Sequence, residues 1–346
     1  LHPVYNGRAF RWTRAEKQTT LTEYGRTDDD VGRWQRSPFY ALEQSGESLL
    51  RRRLTNETDN EFSIFPELRA AGITDYLALA SRFDGGETIG DMDGVYSSWA
   101  SNAPEGFTDE QVADIRRIVP FVALAVKSAT LALIAGTLVE TYLGRDPGRR
   151  VLHGSIKRGV AERIEAVLWF SDLRGYTRLS DAATPDEIIP LLNEYAEAII
   201  SAIHDEGGDV LKLMGDGTLA IFTSDERRRC AEAALAASAA ARRGVAEVNA
   251  QRAATGLLKT DVYVGLHIGD VFYGNIGSKE RLDFTVIGPA VNEVSRIAAM
   301  CRSLEQPLLV SSAFAEAMGA GRSRLISVGR YALRGVGRPQ ELFTVE

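Results

Sequence analysis

The sequence predicts an α+β protein of two domains, and three observations carry that expectation. The chain has 346 residues, and at about 150 residues per domain that divides it in two. Its C-terminal half sets apolar, strand-like runs among helix-spaced segments and a tight hairpin. Its N-terminal half turns from polar to strand-like to helical. A glycine- and arginine-rich stretch, 144–165, lies between them. The expected organisation is an N-terminal domain over 1–143 ending in a long helix, a linker or transducer over 144–165, and a second domain over 166–346.

Composition narrows the function classes. Hydrophobic residues make up 45% and charged residues 25% of the chain, the mix of a soluble globular protein, which excludes wholesale disorder. A formal net charge of −7 gives no general attraction to polyphosphate backbones, so nucleic acid is not an expected partner. Cys230 and Cys301 form no CxxC or His/Cys spacing. That argues against a disulfide framework and a structural zinc site, and a reducing cytoplasm is the expected location. No cysteine precedes residue 230, which excludes a thioether-linked bilin in the N-terminal domain.

Along that domain, residues 1–60 are polar and basic–aromatic, and Arg51-Arg52-Arg53 reads as part of a solvated arm. Residues 73–80 and 92–100 are β-branched and aromatic, with Gly85-Gly86 between them and a turn signal at Asp93-Gly94, which together predict a hairpin. Thr108 and Gln111 have capping-box spacing, with Phe107 placed as a hydrophobic staple, so a helix starts there. Pro120 is expected to kink or break it. Residues 118–139 are nearly all apolar with Lys127 the only charge. A lysine at mid-span costs about 2.5–3.5 kcal/mol on insertion scales, so a buried helix of a soluble protein is expected rather than a membrane span. A strand pair followed by a long helix resembles the second half of a GAF-type sensory domain over 62–130. The ligand or partner it would sense is not legible.

In the second domain, 166–172 is an apolar run that delivers Asp172 to the end of a buried strand. After Thr184-Pro185 comes a helix with apolar positions Ile188, Leu191, Leu192, Tyr195, Ile199 and Ile203. Residues 207–214 and 218–222 flank the turn Gly215-Asp216-Gly217, a hairpin with Asp216 at its tip. Strand-end carboxylates from neighbouring strands, about 4.8 Å apart, can share a cation, and Mg²⁺ suits a site with a couple of carboxylates plus phosphate oxygens. Asn292 and Arg296 are four apart on a helix starting near Pro289, so they project from one face.

Three strings then match one family in order: PheSerAspLeuArgGlyTyrThr (170–177), LysLeuMetGlyAspGlyThrLeuAlaIlePhe (212–222) and ThrValIleGlyProAlaValAsnGluValSerArg (285–296). Over 166–346 the chain resembles the class III nucleotidyl cyclase catalytic domain, which implies a ferredoxin-like βαββαβ core with additional strands and helices. The resemblance implies two Mg²⁺ or Mn²⁺ ions per site, held by Asp172, Asp216 and the Leu173 carbonyl. It makes Gly175, Tyr176 and Thr177 the phosphate loop, with Arg334 on the terminal phosphates where the family usually has Lys. It gives Lys212 and Thr285 the purine, Asn292 the ribose, and Arg296 the transition state. Lys with Thr suits adenine N1 and N6, whereas guanylyl cyclases are expected to carry Glu and Cys there, so ATP is favoured over GTP although Thr replaces the commoner Asp. The family builds each site from two subunits, so a head-to-tail homodimer is implied, with the helix before residue 144 as a dimer helix.

Each residue alone has a blander reading: Lys212 as a solvated strand lysine, Arg296 as a surface arginine, Thr285 as a good strand residue. The combination is what points to adenylate cyclase. Alternatives are a guanylate cyclase and an inactive nucleotide-binding signalling dimer, though loss of an aspartate or of Arg296 would have marked the latter. GlyGlyAspValLeu (207–211) lacks the Glu-Phe of a GGDEF signature, and no GxxxxGK[ST] is present. His267 and His153 are read as structural.

Overall fold

The computed structural model describes residues 7–13, 17–24, 27–54, 61–83 and 94–345, and the chain divides into two compact units, 1–138 and 139–346. The first unit opens with an antiparallel pair, β1 (Gly7–Trp12) and β2 (Thr19–Tyr24). Helices α1 (Asp28–Gln35) and α2 (Pro38–Ser45) follow. Ser37 caps α2 by accepting the Tyr40 N–H, Pro38 opens its first turn, and Gly46 in the left-handed region ends it. Then come β3 (Leu49–Arg53), α3 (Phe65–Ala70), β4 (Asp75–Arg82) and β5 (Gly94–Ser101). The antiparallel sheet order is β3-β4-β5.

Strand β4 is buried on both faces. Tyr76 and Ala78 pack with Leu42, Leu50 and Phe65 on one side, and Leu77 and Leu79 pack with Val119 on the other. The arginines of β3 therefore do not form a solvated arm. Fully buried Asp75 accepts from Arg51 Nη2 at 2.8 Å and from the Phe107 N–H at 2.9 Å. A carboxylate with no access to water requires such partners; with Arg53 Nη1 at 3.5 Å as a third, they fasten β3 and β4 to the segment that starts the next helix. Gly85-Gly86 and Asp93 lie outside the described residues.

Helix α4 (Asp109–Leu143) begins at the expected capping box. The Thr108 N–H donates to Gln111 Oε1 at 2.9 Å, and the Gln111 N–H donates to Thr108 Oγ1 at 3.2 Å. The expected break at Pro120 does not occur, because buried Val119 and Ala123 flank the proline and their packing carries the helix through it. Nor is the apolar stretch buried. Ile118, Phe121, Val122, Leu124 and Leu133 are exposed, and 17% of the most apolar window is covered within the chain. A helix of 35 residues is about 50 Å long, and a three-stranded sheet covers only one stripe of it. By length and composition α4 could cross a membrane, although Lys127 lies 4.2 Å over the Phe83 ring.

The second unit comprises α5 (Arg145–Leu152), β6 (Ala161–Leu173), α6 (Tyr176–Ala182), α7 (Pro185–Asp205), β7 (Asp209–Met214), β8 (Gly217–Phe222), α8 (Arg227–Ala254), β9 (Val262–Gly277), β10 (Leu282–Ile287), α9 (Pro289–Leu304), β11 (Leu308–Ser311), α10 (Ser312–Ala317), β12 (Leu325–Tyr331) and β13 (Gln340–Val345). The stretch read as a linker thus contains a helix, and the first strand starts at Ala161. The eight-stranded sheet runs β12-β13-β11-β9-β6-β8-β7, with β10 on β9. Its strands pair antiparallel except β9 with β11. Numbered within β6-α7-β7-β8-α8-β9, the central strand order is 4-1-3-2, the ferredoxin-like arrangement. Strand β6 is buried on both faces. Val167 and Trp169 face the α7–α8 layer with Tyr195 and Ala234, and Ala166 and Leu168 face Val294 of α9.

Replacing Asp75 by Ala leaves Arg51 without its buried carboxylate and should lower the stability of the first unit by about 2–3 kcal/mol. Urea titration followed by circular dichroism checks this, and an unchanged midpoint would assign the contact no energetic role.

Candidate active site

The two metal-candidate carboxylates come from one chain region, because β6 and β8 pair across Ser171 and Thr218, which sets the end of β6 beside the β7–β8 turn. Asp172 stands at the end of β6 and Asp216 in that turn. The Leu173 N–H donates to Asp216 Oδ2 at 3.2 Å, and the Asp216 carboxylate is a close, like-charged neighbour of Asp172. Partial burial and the neighbouring Asp216 carboxylate raise the Asp172 acid from 3.8 to about 7. Because the Asp172 side chain still reaches solvent, the like-charged neighbour is the sounder of those two causes. Two neighbouring carboxyl groups form an oxygen donor set that a divalent cation would satisfy. No cluster of three or more His, Cys, Asp or Glu side chains occurs among the described residues, so an ion here would draw its other ligands from backbone, water or substrate oxygens.

Gly175 has φ +71° and is the N-cap of α6, with Tyr176 and Thr177 as the first helical residues. No side chain caps that end, so the first amides keep their donor capacity for an anion.

Lys212 sits on β7 just after an irregularity in its pairing with β8, between Val210 and Lys212. Such a bulge re-aims the residue that follows, and here Lys212 reaches β10 and ion-pairs with Asp283. Residues two apart on a strand share a face, so Asp283 and the largely buried Thr285 lie side by side, while Phe284 and Val286 point into the core. Asp283 is the functional candidate that the sequence reading missed. Its place two residues before Thr285 was the available signal.

Asn292 and Arg296 are both exposed on α9, opposite its buried Val294, Ile297 and Cys301. Arg334 is exposed in the turn between β12 and β13. Neither Arg296 nor Arg334 has a carboxylate partner among the described residues, so both cations are free for an anionic ligand. The structure brings together two groups, Asp172–Asp216 and Lys212–Asp283–Thr285. Among the described residues no hydrogen bond or ion pair links the first group to the second, or to Asn292, Arg296 or Arg334. His267 is buried, with Nδ1 2.8 Å from Ser311 Oγ, a structural position.

The second unit is thus an α+β domain with a ferredoxin-like core, an aspartate pair at the β6 end and the β7–β8 turn, and a lysine–carboxylate pair between β7 and β10. The sequence model of the adenylate and guanylate cyclase catalytic domain matches residues 160–346, more than half of the chain, and the chain belongs to that family. The chain is 34% identical over 157 residues to an adenylate cyclase of Anabaena cylindrica, covering 45% of this chain and 31% of that one. It is 33% identical over 221 residues to an uncharacterised protein of Mycobacterium tuberculosis, covering 61% and 39%. The chain thus spans about a third of the length of these curated relatives. Among solved structures it is similar to the adenylyl cyclase CyaB of P. aeruginosa, with TM-score 0.50, 26% identity and coverage of 54% of this chain and 96% of that one. It also shares the fold of a bacterial light-regulated adenylyl cyclase, with TM-score 0.56, 24% identity and 64% coverage of each chain.

The raised Asp172 acid has a thermodynamic consequence. Its folded value lies above its unfolded one, so its contribution to stability is full below about pH 4 and is lost as pH rises through about 7. In chelated protein, Asp172→Asn should therefore melt higher than wild type at pH 8 and match it near pH 4, read by differential scanning calorimetry. Mn²⁺ should raise the wild-type melting temperature at pH 8 and leave the variant's nearly unchanged.

Proposed function

We propose that the chain is an adenylate cyclase that converts ATP to 3′,5′-cyclic AMP and pyrophosphate in a homodimer with shared sites. The single observation that carries the choice of purine is the Lys212–Asp283 pair beside Thr285. Adenine offers an acceptor at N1 and a donor at its 6-amino group, whereas guanine offers N1–H and a carbonyl at position 6. Lys212 donates to N1, and the Asp283 carboxylate with the Thr285 hydroxyl accepts from the 6-amino group. A guanine would turn its carbonyl toward that carboxylate.

Asp172 and Asp216, with the Leu173 carbonyl, would hold two Mg²⁺ or Mn²⁺ ions. Bound there, these would supply Lewis acidity toward the ribose 3′-hydroxyl and charge neutralisation for the departing phosphates. The chain's own residues do the rest. The amides of Gly175, Tyr176 and Thr177 and the Arg334 guanidinium bind the polyphosphate. Asn292 orients the ribose so that the 3′-oxygen lies in line with the α-phosphorus. Arg296 matches the charge that develops on the transferred phosphoryl group.

The separation of the two residue groups within one chain supports a site completed by a second copy, and the exposed apolar stripe of α4 supports a dimer helix. The first unit, with β4 and β5 followed by α4, is read as a GAF-like regulatory domain, and the protein as cytoplasmic.

Purified chain with Mn²⁺ should form cyclic AMP from ATP and little cyclic GMP from GTP, resolved by chromatography, and Asp172→Ala should form neither. Predominant cyclic GMP would overturn the purine assignment. Mixing inactive Asp216→Ala with inactive Arg296→Ala should restore activity, up to about a quarter of wild type if the chains pair at random. Dead heterodimers would rule out shared sites. Asp283→Asn should lower kcat/KM for ATP about tenfold, mostly through KM, and narrow the preference over GTP.

A further inference from the structure

Helix α5 occupies a position that neither the sequence nor the proposed chemistry required. It follows α4 through Gly144, whose φ is +93° and where a Cβ would stand 2.3 Å from the Val210 carbonyl oxygen. The α4–α5 corner therefore lies directly on β7, two residues from Lys212. On its other side α5 reaches β9. The Tyr273 hydroxyl donates to Asp146 Oδ2 at 2.8 Å, and Arg150 Nε donates to the same oxygen at 2.7 Å. The Arg150 guanidinium lies 5.0 Å over the Tyr273 ring and also donates to Glu162 Oε1 on β6. Just beyond α5, the Ser155 carbonyl accepts from Asn275 Nδ2 at 2.6 Å. Tyr273 and Asn275 flank Gly274, the residue paired with Thr285.

One short helix thus grips both strands that carry the base-contacting residues: β7 with Lys212, and β9, whose partner β10 carries Asp283 and Thr285. Phe284 and Val286 pack that hairpin on one side, but its back is not filled throughout. A cavity of about 200 Å³ lined by Leu143, Val151, Ile156, Asn275, Leu282 and Phe284 lies behind it, and an unfilled back leaves its position to the polar contacts.

We propose that Asp146 and Tyr273 are positioning residues for purine binding: through α5 they set the spacing of β7 and β10, and so the alignment of Lys212 with Thr285 and Asp283. They touch no substrate. The inference rests on the proposed assignment of those three residues to the purine. It also makes α5 the point at which a displacement of the adjoining end of α4 changes nucleotide affinity.

The test is Tyr273→Phe in the full chain, which removes one hydroxyl and keeps the ring against Phe284, 4.9 Å away edge-on. KM for ATP should rise about fivefold with kcat within about twofold, the signature of one lost hydrogen bond felt in binding. Calorimetry should find α,β-methylene-ATP bound weaker by the same factor, and Asp146→Asn should reproduce both effects. An unchanged KM and analogue affinity in both variants, with a lower melting temperature or a lower kcat, would make the clamp purely structural and overturn the inference. Wild-type chain that binds a GTP analogue in preference to α,β-methylene-ATP would instead overturn the proposed function on which it rests.

Discussion

The catalytic unit is organised around an electrostatic conflict. The β6–β8 ladder sets Asp172 beside Asp216, where two carboxylates cannot both ionise without cost. Nothing on the sheet relieves this: the Leu173 N–H satisfies one oxygen of Asp216, and no cationic side chain is ion-paired with either aspartate among the described residues. The fold therefore tolerates a destabilised pair at neutral pH, and only a bound cation turns it into a favourable interaction. Sites that bind charge commonly carry such uncompensated charge.

The geometry that imposes this conflict is the 4-1-3-2 strand order. Strand β6 is central and buried on both faces, so its end is fixed by core packing on two sides, and the β7–β8 turn is fixed by its ladder to β6. Asp172 closes a buried strand, and Asp216 sits in a two-residue turn pinned by that ladder. The Lys212–Asp283–Thr285 group is held differently. Lys212 follows a bulge, Asp283 and Thr285 sit on a strand paired to β9 alone, and space remains behind them. One half of the machinery is rigid by packing, and the other is located by polar contacts that a neighbouring helix supplies.

That contrast also explains what the sequence revealed. Asp172, Asp216, Lys212 and Thr285 were legible because apolar runs and a tight turn fix where a strand ends, and the motif strings fix their order. The capping box at Thr108 and Gln111 was legible because it is local. Asp283 was not, since its partner lies 71 positions away and an aspartate near a strand start has ordinary explanations. The arginines of β3 were misread for the same reason: Asp75, which gives them their purpose, is a long-range neighbour. The exposure of α4 was misread because apolar composition says that a face wants cover but not whether its own chain can provide it.

The α4 surface bears on how the two halves of the site relate. A helix whose own unit covers one stripe keeps Phe121 and Leu124 in water, an arrangement that is stable only if something else removes that area. A second copy would do so while bringing two catalytic units together, which is what a site divided between separate residue groups requires. A bilayer would bury the same stripe but would also take in Lys127, whose ammonium is already engaged with Phe83. Desolvating that lysine at mid-span carries a cost of about 2.5–3.5 kcal/mol that a protein partner, leaving the ammonium on Phe83, does not incur. On that count the lysine favours protein over lipid as the partner of this face.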